Sequence, residues 1–72
     1  MVKMESYWCE DKPTLDDIKF AYERVNQGVT VEIRWFVPYS GQYNRIITAN
    51  SLERYPKPED LFEACIPKRY PV

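Results

Sequence analysis

The chain has 72 residues, 15% of them aromatic, and a formal net charge of −1. This length predicts a single domain, 1–72, that buries only about 60% of the surface exposed by its unfolded form. The near-neutral charge predicts no overall attraction to nucleic acid or acidic membranes. No run of about 18 apolar residues occurs, so no membrane span is predicted.

The sequence contains no histidine and two cysteines, Cys9 and Cys65. Without histidine, Ser-His-Asp and Cys-His catalysis are excluded, together with most zinc sites. Because the sequence shows no secretory signal pattern, we expect both thiols to be reduced and the protein to be cytoplasmic. Helix capping explains the acidic pair Asp16 and Asp17. We therefore predict no catalytic residue, no metal site and no cofactor.

Residues 1–10 alternate between two sets of side chains. Met4, Ser6 and Trp8 alternate with Glu5, Tyr7 and Cys9, a pattern typical of a half-buried strand. A frayed N-terminal arm is the alternative, in which 1–6 would be flexible.

The clearest helix spans Thr14–Gln27. Thr14 is a good N-cap with Asp17 three residues later, as in a capping box. An apolar stripe recurs at helical spacing through Leu15, Ile18, Ala21 or Tyr22, and Val25. Gly28 stands where a left-handed residue ends a helix.

A β-hairpin follows the helix directly. On its first strand, Val29, Val31, Ile33, Trp35 and Val37 alternate with Thr30, Glu32, Arg34 and Phe36, which predicts that the first set faces the core. The return strand, residues 43–49, does not show which of its sets faces inward. Residues 38–41 favour a turn but not a tight two-residue one, so a loose tip is expected.

The remainder predicts a connector at 50–57, a short helix at Pro58–Cys65 that begins with proline, and a flexible tail at 68–72. The fold class is therefore α+β, with the order (β)-α-β-β-α. We expect a two- or three-stranded, antiparallel-dominated sheet with both helices on one face. The opposite face would carry Phe36 and is a candidate location for Tyr7. It would be uncovered unless the tail folds over it.

An aromatic and basic surface on the hairpin is the candidate partner-binding site. It consists of Arg34, Phe36, Tyr39, Tyr43 and Arg45. These residue types are enriched at protein interfaces, and the partner would be a foreign protein or a second copy in a homodimer. They also suit single-stranded nucleic acid, because bases stack on rings and arginines neutralise phosphates. Alternatively, the aromatic rings belong to the core and this surface has no binding function.

The resulting hypothesis is a non-catalytic protein–protein interaction module without a small-molecule substrate. We expect it to regulate or inhibit a larger protein, as short chains of phages and mobile elements often do. Single-stranded nucleic-acid binding through the same surface is the alternative. Both hypotheses depend on a sheet face that the helices leave open.

Overall fold

The computed structural model describes residues 3–66. The strands form one three-stranded sheet in the order β1-β2-β3, with β1 parallel and β3 antiparallel to the central strand β2. The predicted α+β class is confirmed, although the sheet is mixed rather than antiparallel-dominated. In chain order the elements are β1 (Lys3–Cys9), α1 (Leu15–Asn26), β2 (Val29–Val37), β3 (Gly41–Ile47), α2 (Ala49–Arg54) and α3 (Pro58–Cys65).

The predicted N-terminal strand is present as β1. It pairs with β2 in parallel, from Lys3 beside Val29 to Cys9 beside Trp35. Because parallel neighbours need a crossover connection, α1 lies between the two strands in the chain. Residues 3–6, where the sequence left a flexible arm open, belong to this strand, whereas 1, 2 and the predicted flexible tail lie outside the described residues.

Helix α1 begins and ends as its sequence predicts. The backbone amide of Thr14 donates to the Asp17 carboxylate at 2.8 Å, and the Asp17 amide donates to the Thr14 hydroxyl at 3.3 Å, which completes a capping box. Gly28 follows the helix with a φ of 92°, a conformation that a side chain would disfavour. The buried stripe consists of Ile18, Ala21, Tyr22 and Val25, whereas Leu15, the first residue of the predicted stripe, is only half-buried.

One hydrophobic core fills the space between the helices and one face of the sheet. The predicted inward set of β2 is buried, and Val37 is half-buried at the end of the strand. Full burial of one such side chain stabilises the fold by about 1.5–3 kcal/mol. The core residues that the sheet and the last helical segment contribute are Val29, Val31, Ile33, Trp35, Ile47, Leu61 and Ile66.

The hairpin turn is closed by a hydrogen bond rather than loose. The amide of Ser40 donates to the carbonyl of Val37 at 3.1 Å. Pro38 has the φ that the second position of such a turn requires. Tyr39 occupies the third position with a φ of 71°, a region uncommon for residues other than glycine.

The C-terminal part differs from prediction by one helix. The segment predicted as a connector contains α2, which has no buried residue and so lacks the apolar repeat that would reveal it. The hydroxyl of Tyr22 donates to the carbonyl of Tyr55 at 2.6 Å and ties the end of α2 to α1. Helix α3 begins at Pro58 as predicted. No helix within residues 3–66 is long and apolar enough to cross a membrane.

Candidate functional site

The sheet face turned away from the core is not covered by any of residues 3–66. Side chains that pair across neighbouring strands share a face, so the register identifies its members. Met4, Ser6 and Trp8 of β1 lie beside Thr30, Glu32 and Arg34 of β2. We call this surface the open face, and it consists of Met4, Ser6, Trp8, Thr30, Glu32, Arg34, Phe36, Gln42, Asn44 and Ile46.

Large apolar side chains are exposed on all three strands of the open face. Met4 and Trp8 on β1 are 50% and 56% exposed, Phe36 on β2 is 52% exposed, and Ile46 on β3 is 47% exposed. Exposed apolar side chains that share one sheet face are typical of surfaces that a partner covers.

A carboxylate bridges the strands at the centre of the open face. The side-chain amide of Asn44 donates to Oε2 of Glu32, and the hydroxyl of Ser6 donates to Oε1, both at 2.9 Å. These two hydrogen bonds, with the Asn44 bond the stronger cause, hold the pKa of Glu32 below its usual range. Glu32 is therefore ionised at neutral pH and held in one orientation.

Arg34 is the only other charged residue of the open face. It lies two residues after Glu32 on the same strand, and its charge further lowers the pKa of that carboxyl group. The side chain of Arg34 is exposed and forms no hydrogen bond or ion pair with any of residues 3–66. The open face therefore combines one oriented anion with one available cation and has no excess charge.

The structure separates the five residues predicted as one binding surface. Arg34 and Phe36 lie on the open face, and Tyr39 is 96% exposed at the hairpin tip. Tyr43 and Arg45 lie on the helix side, because they pair with the inward residues Trp35 and Ile33. The predicted surface is therefore divided between two faces and the turn.

Tyr43 and Arg45 have contacts of a structural kind. The Tyr43 ring stacks on Trp35, with ring centroids 6.0 Å apart and planes inclined by 16°. The Arg45 guanidinium donates to the carbonyl of Cys65 at 3.5 Å, where α3 ends. These contacts place one ring beside the core and one cation over the C-terminal end of a helix, where the dipole favours it.

The expectation that Tyr7 lies on the uncovered face is wrong. Tyr7 lies on the helix side of β1 and meets Phe20 edge to face, with ring centroids 5.2 Å apart and planes inclined by 87°. The residue of β1 that does reach the open face is its neighbour Trp8, together with Met4. The alternation in the first ten residues divides them into two sets, one for each face of the sheet. Only the strand register shows which of the two sets is exposed.

A basic cleft lies on the helix side, between β3, α2 and α3. It has a volume of about 510 Å³ and contains two arginines, Arg45 and Arg54, but no carboxylate. The positive charge of Arg45, which the sequence analysis placed on the hairpin surface, therefore lies in this cleft. Its lining consists of Arg45, Ile46, Asn50, Ser51, Arg54, Tyr55, Leu61, Ala64 and Cys65.

The two thiols are free, and the environment of Cys9 makes it a poor nucleophile. Burial raises the pKa of the Cys9 thiol, and the nearby Asp17 carboxylate, 3.8 Å from the sulfur, raises it further. The acid in contact with this thiol is Asp17 from α1. Within residues 3–66, no group of three or more His, Cys, Asp or Glu side chains is arranged to hold a metal ion.

A comparison with protein-family models found no match, and searches of curated proteins and of solved structures gave no significant match. The geometry of the open face is therefore the basis for the functional assignment.

Proposed function

We propose that this chain is a non-catalytic protein-interaction module that binds through its open face. The observation that carries the proposal is the group of four half-exposed apolar side chains, spread over three strands around the fixed Glu32 carboxylate. Aromatic residues, methionine and arginine are the types enriched at the centres of protein interfaces. We further propose, as the sequence analysis predicts, that the protein regulates or inhibits a larger protein in the cytoplasm.

Trp8 and Phe36 are the anchors of the proposed contact. About half of each residue is already buried within residues 3–66, which restrains its side chain before a partner arrives. Restraint of this kind lowers the conformational entropy lost on binding. Truncation of a central aromatic anchor typically costs 2 kcal/mol or more, or roughly thirtyfold in affinity.

The charges of the open face favour a protein over nucleic acid. Binding of a single strand needs a groove with excess positive charge beside the stacking rings. Here Glu32 offsets Arg34, and the second arginine of the predicted surface, Arg45, lies on the helix side. A phosphate chain laid across Trp8 and Phe36 would meet the ionised Glu32 carboxylate.

Site-specific photo-cross-linking tests the proposal. The cross-linker benzoylphenylalanine would replace Trp8 on the open face or, as a matched control, Phe20 on the helix side, which is a similarly exposed aromatic at 45%. Irradiation of cells that express each variant should give protein adducts from position 8 in several-fold excess over position 20. Circular dichroism would establish that both variants are folded.

Equal yields of protein adducts from the two positions would reject the open face as the binding surface. Adducts with nucleic acid from position 8, removed by nuclease treatment, would instead support the alternative function.

A further inference from the structure

We infer that the open face binds a second copy of this chain, sheet against sheet, about a twofold axis that runs across the strands. This inference rests on the proposed function, because it names the partner of the same face. It follows from the order in which Glu32 and Arg34 stand along β2.

A twofold axis across the strands reverses the strand direction of the second copy. When the axis passes between the Glu32 and Arg34 positions, Glu32 of each copy lies opposite Arg34 of the other. Because a twofold interface repeats each contact, this gives two identical ion pairs. The single anion and single cation of the face thus complement themselves.

The other simple arrangement, with the axis along the strands, has the opposite result. It places Glu32 against Glu32 and Arg34 against Arg34 on the two central strands. Like charges facing each other across an interface are strongly unfavourable. The charge order therefore selects the axis that crosses the strands.

Glu32 is prepared to accept a donor from the second copy. A carboxylate has about four acceptor sites, and Ser6 and Asn44 occupy one on each oxygen. Arg34 offers a planar fork of donors that no residue among 3–66 engages. Sheets pack face to face about 10 Å apart, a gap that these two long side chains span together. A depression of about 260 Å³ opens beside the carboxylate and is lined by Glu32, Arg34, Gln42, Tyr43 and Asn44.

The apolar residues supply affinity and the ion pairs supply register. The proposed axis sets Phe36 over Thr30 and Trp8 over Ser6 of the second copy, so both rings become buried. Buried ion pairs contribute little net stability, but an unpaired charge in the same place is strongly unfavourable. The exchange of charges therefore fixes the register of the two sheets.

The size of the face sets the expected strength of the dimer. Three strands about 4.8 Å apart, with seven paired positions between neighbours, cover roughly 14 by 23 Å. This footprint is smaller than the roughly 800 Å² that each partner contributes to a standard interface. We therefore expect a reversible dimer with a dissociation constant in the micromolar range.

Sedimentation velocity on the full 72-residue chain, from about 5 µM to about 1 mM, tests the inference. The unmodified chain should dimerise. Glu32→Arg and Arg34→Glu should each weaken dimerisation by at least about tenfold, because each sets like charges opposite one another. The double variant E32R/R34E should recover the original dissociation constant to within about threefold, since the exchanged charges again face their opposites. Glu53→Arg on α2 and Lys19→Glu on α1, both at exposed positions away from the open face, are matched controls that should change nothing.

A mixture of the two single variants provides a second measurement. The charged groups of one face are then both cations and those of the other both anions, so the equimolar mixture should dimerise more tightly than either variant alone. If the Glu32 variant fails to fold, Trp8→Ser in the otherwise unchanged chain should still weaken dimerisation at least about tenfold. Circular dichroism would establish the folding of each chain.

A chain that is monomeric throughout the concentration range overturns the inference. So does a double variant that associates no better than the single variants, because the axis would then be wrong. If the chain is monomeric but position 8 cross-links to another protein, the second copy is rejected and the interaction module stands. If neither assay detects a partner, both proposals fail.

Discussion

Glu5 and Arg24 join β1 to α1 through a two-pronged ion pair. Arg24 Nε donates to Glu5 Oε1 at 2.9 Å, and Nη2 donates to Oε2 at 2.5 Å. Tyr7 donates a further hydrogen bond to Oε1 of the same carboxylate. Because β1 is an edge strand that presents Met4 and Trp8 to the open face, this pair on the helix side helps to hold the candidate site in place.

The ion pair predicts how stability depends on pH. The Arg24 guanidinium and, after it, the Tyr7 hydroxyl lower the pKa of Glu5 from about 4.5 to about 2. A carboxylate with a lowered pKa in the folded state stabilises the fold above its unfolded pKa, and that contribution is lost as the pH falls. Glu5→Gln should therefore lower the free energy of unfolding at pH 7, and the difference from the unmodified chain should shrink between about pH 4.5 and pH 2.

Urea unfolding of both chains at a series of pH values measures this difference. Glu23→Gln is a matched control, since the Glu23 side chain is exposed on the same helix as Arg24 and has no hydrogen bond or ion pair within residues 3–66. If the loss of unfolding free energy in Glu5→Gln stays constant from pH 7 to pH 2, the lowered pKa of Glu5 in the folded state would be contradicted.

Two aromatic residues of the predicted surface should behave in opposite ways. Tyr43 stacks on the buried Trp35, so Tyr43→Ala should cost about 2 kcal/mol of unfolding free energy and leave the open face intact. Phe36 is half-exposed on the open face, so Phe36→Ala should cost less than about 1 kcal/mol of stability and weaken binding. Thermal and urea unfolding report the first effect, and sedimentation velocity reports the second.

Tyr43→Phe serves as the control for the stack, because it keeps the ring and should retain most of the stability. The opposite result, in which Tyr43→Ala impairs binding at unchanged stability, would restore the surface that the sequence predicted.

The elements with strong local signals were predictable. The capping residues and apolar stripe of α1, the inward set of β2 and the first-turn proline of α3 each depend on neighbours in sequence, and the structure confirms them. Helix α2 was not predictable in this way. None of its residues is buried, and a hydrogen bond from Tyr22 to Tyr55, 33 positions away, joins its C-terminal end to α1.

The composition of the site depended on pairing between distant segments. A short chain with one helical layer must leave one sheet face uncovered, so the existence of that face was predictable. The residues that lie on it were not. On β3, both alternating sets contain large side chains, and only the pairing of Tyr43 with Trp35 assigns it to the helix side. Trp8 became a site residue because β1 pairs with β2 in parallel, a register set by contacts across 26 positions of sequence.

Nucleic-acid binding provides the last prediction, because the open face lacks the positive charge that it requires. Titration with single-stranded DNA and RNA oligonucleotides should give no saturable change in tryptophan fluorescence, at low salt or at about 0.2 M salt. Trp8 is the sensitive probe, since Trp35 is only 2% exposed. A saturable change that collapses at the higher salt would contradict the prediction. Loss of that signal in Arg34→Gln would then show that the nucleic acid binds the open face. Loss of the signal in Arg45→Gln and Arg54→Gln would show instead that it binds the basic cleft, which contains two arginines and no carboxylate.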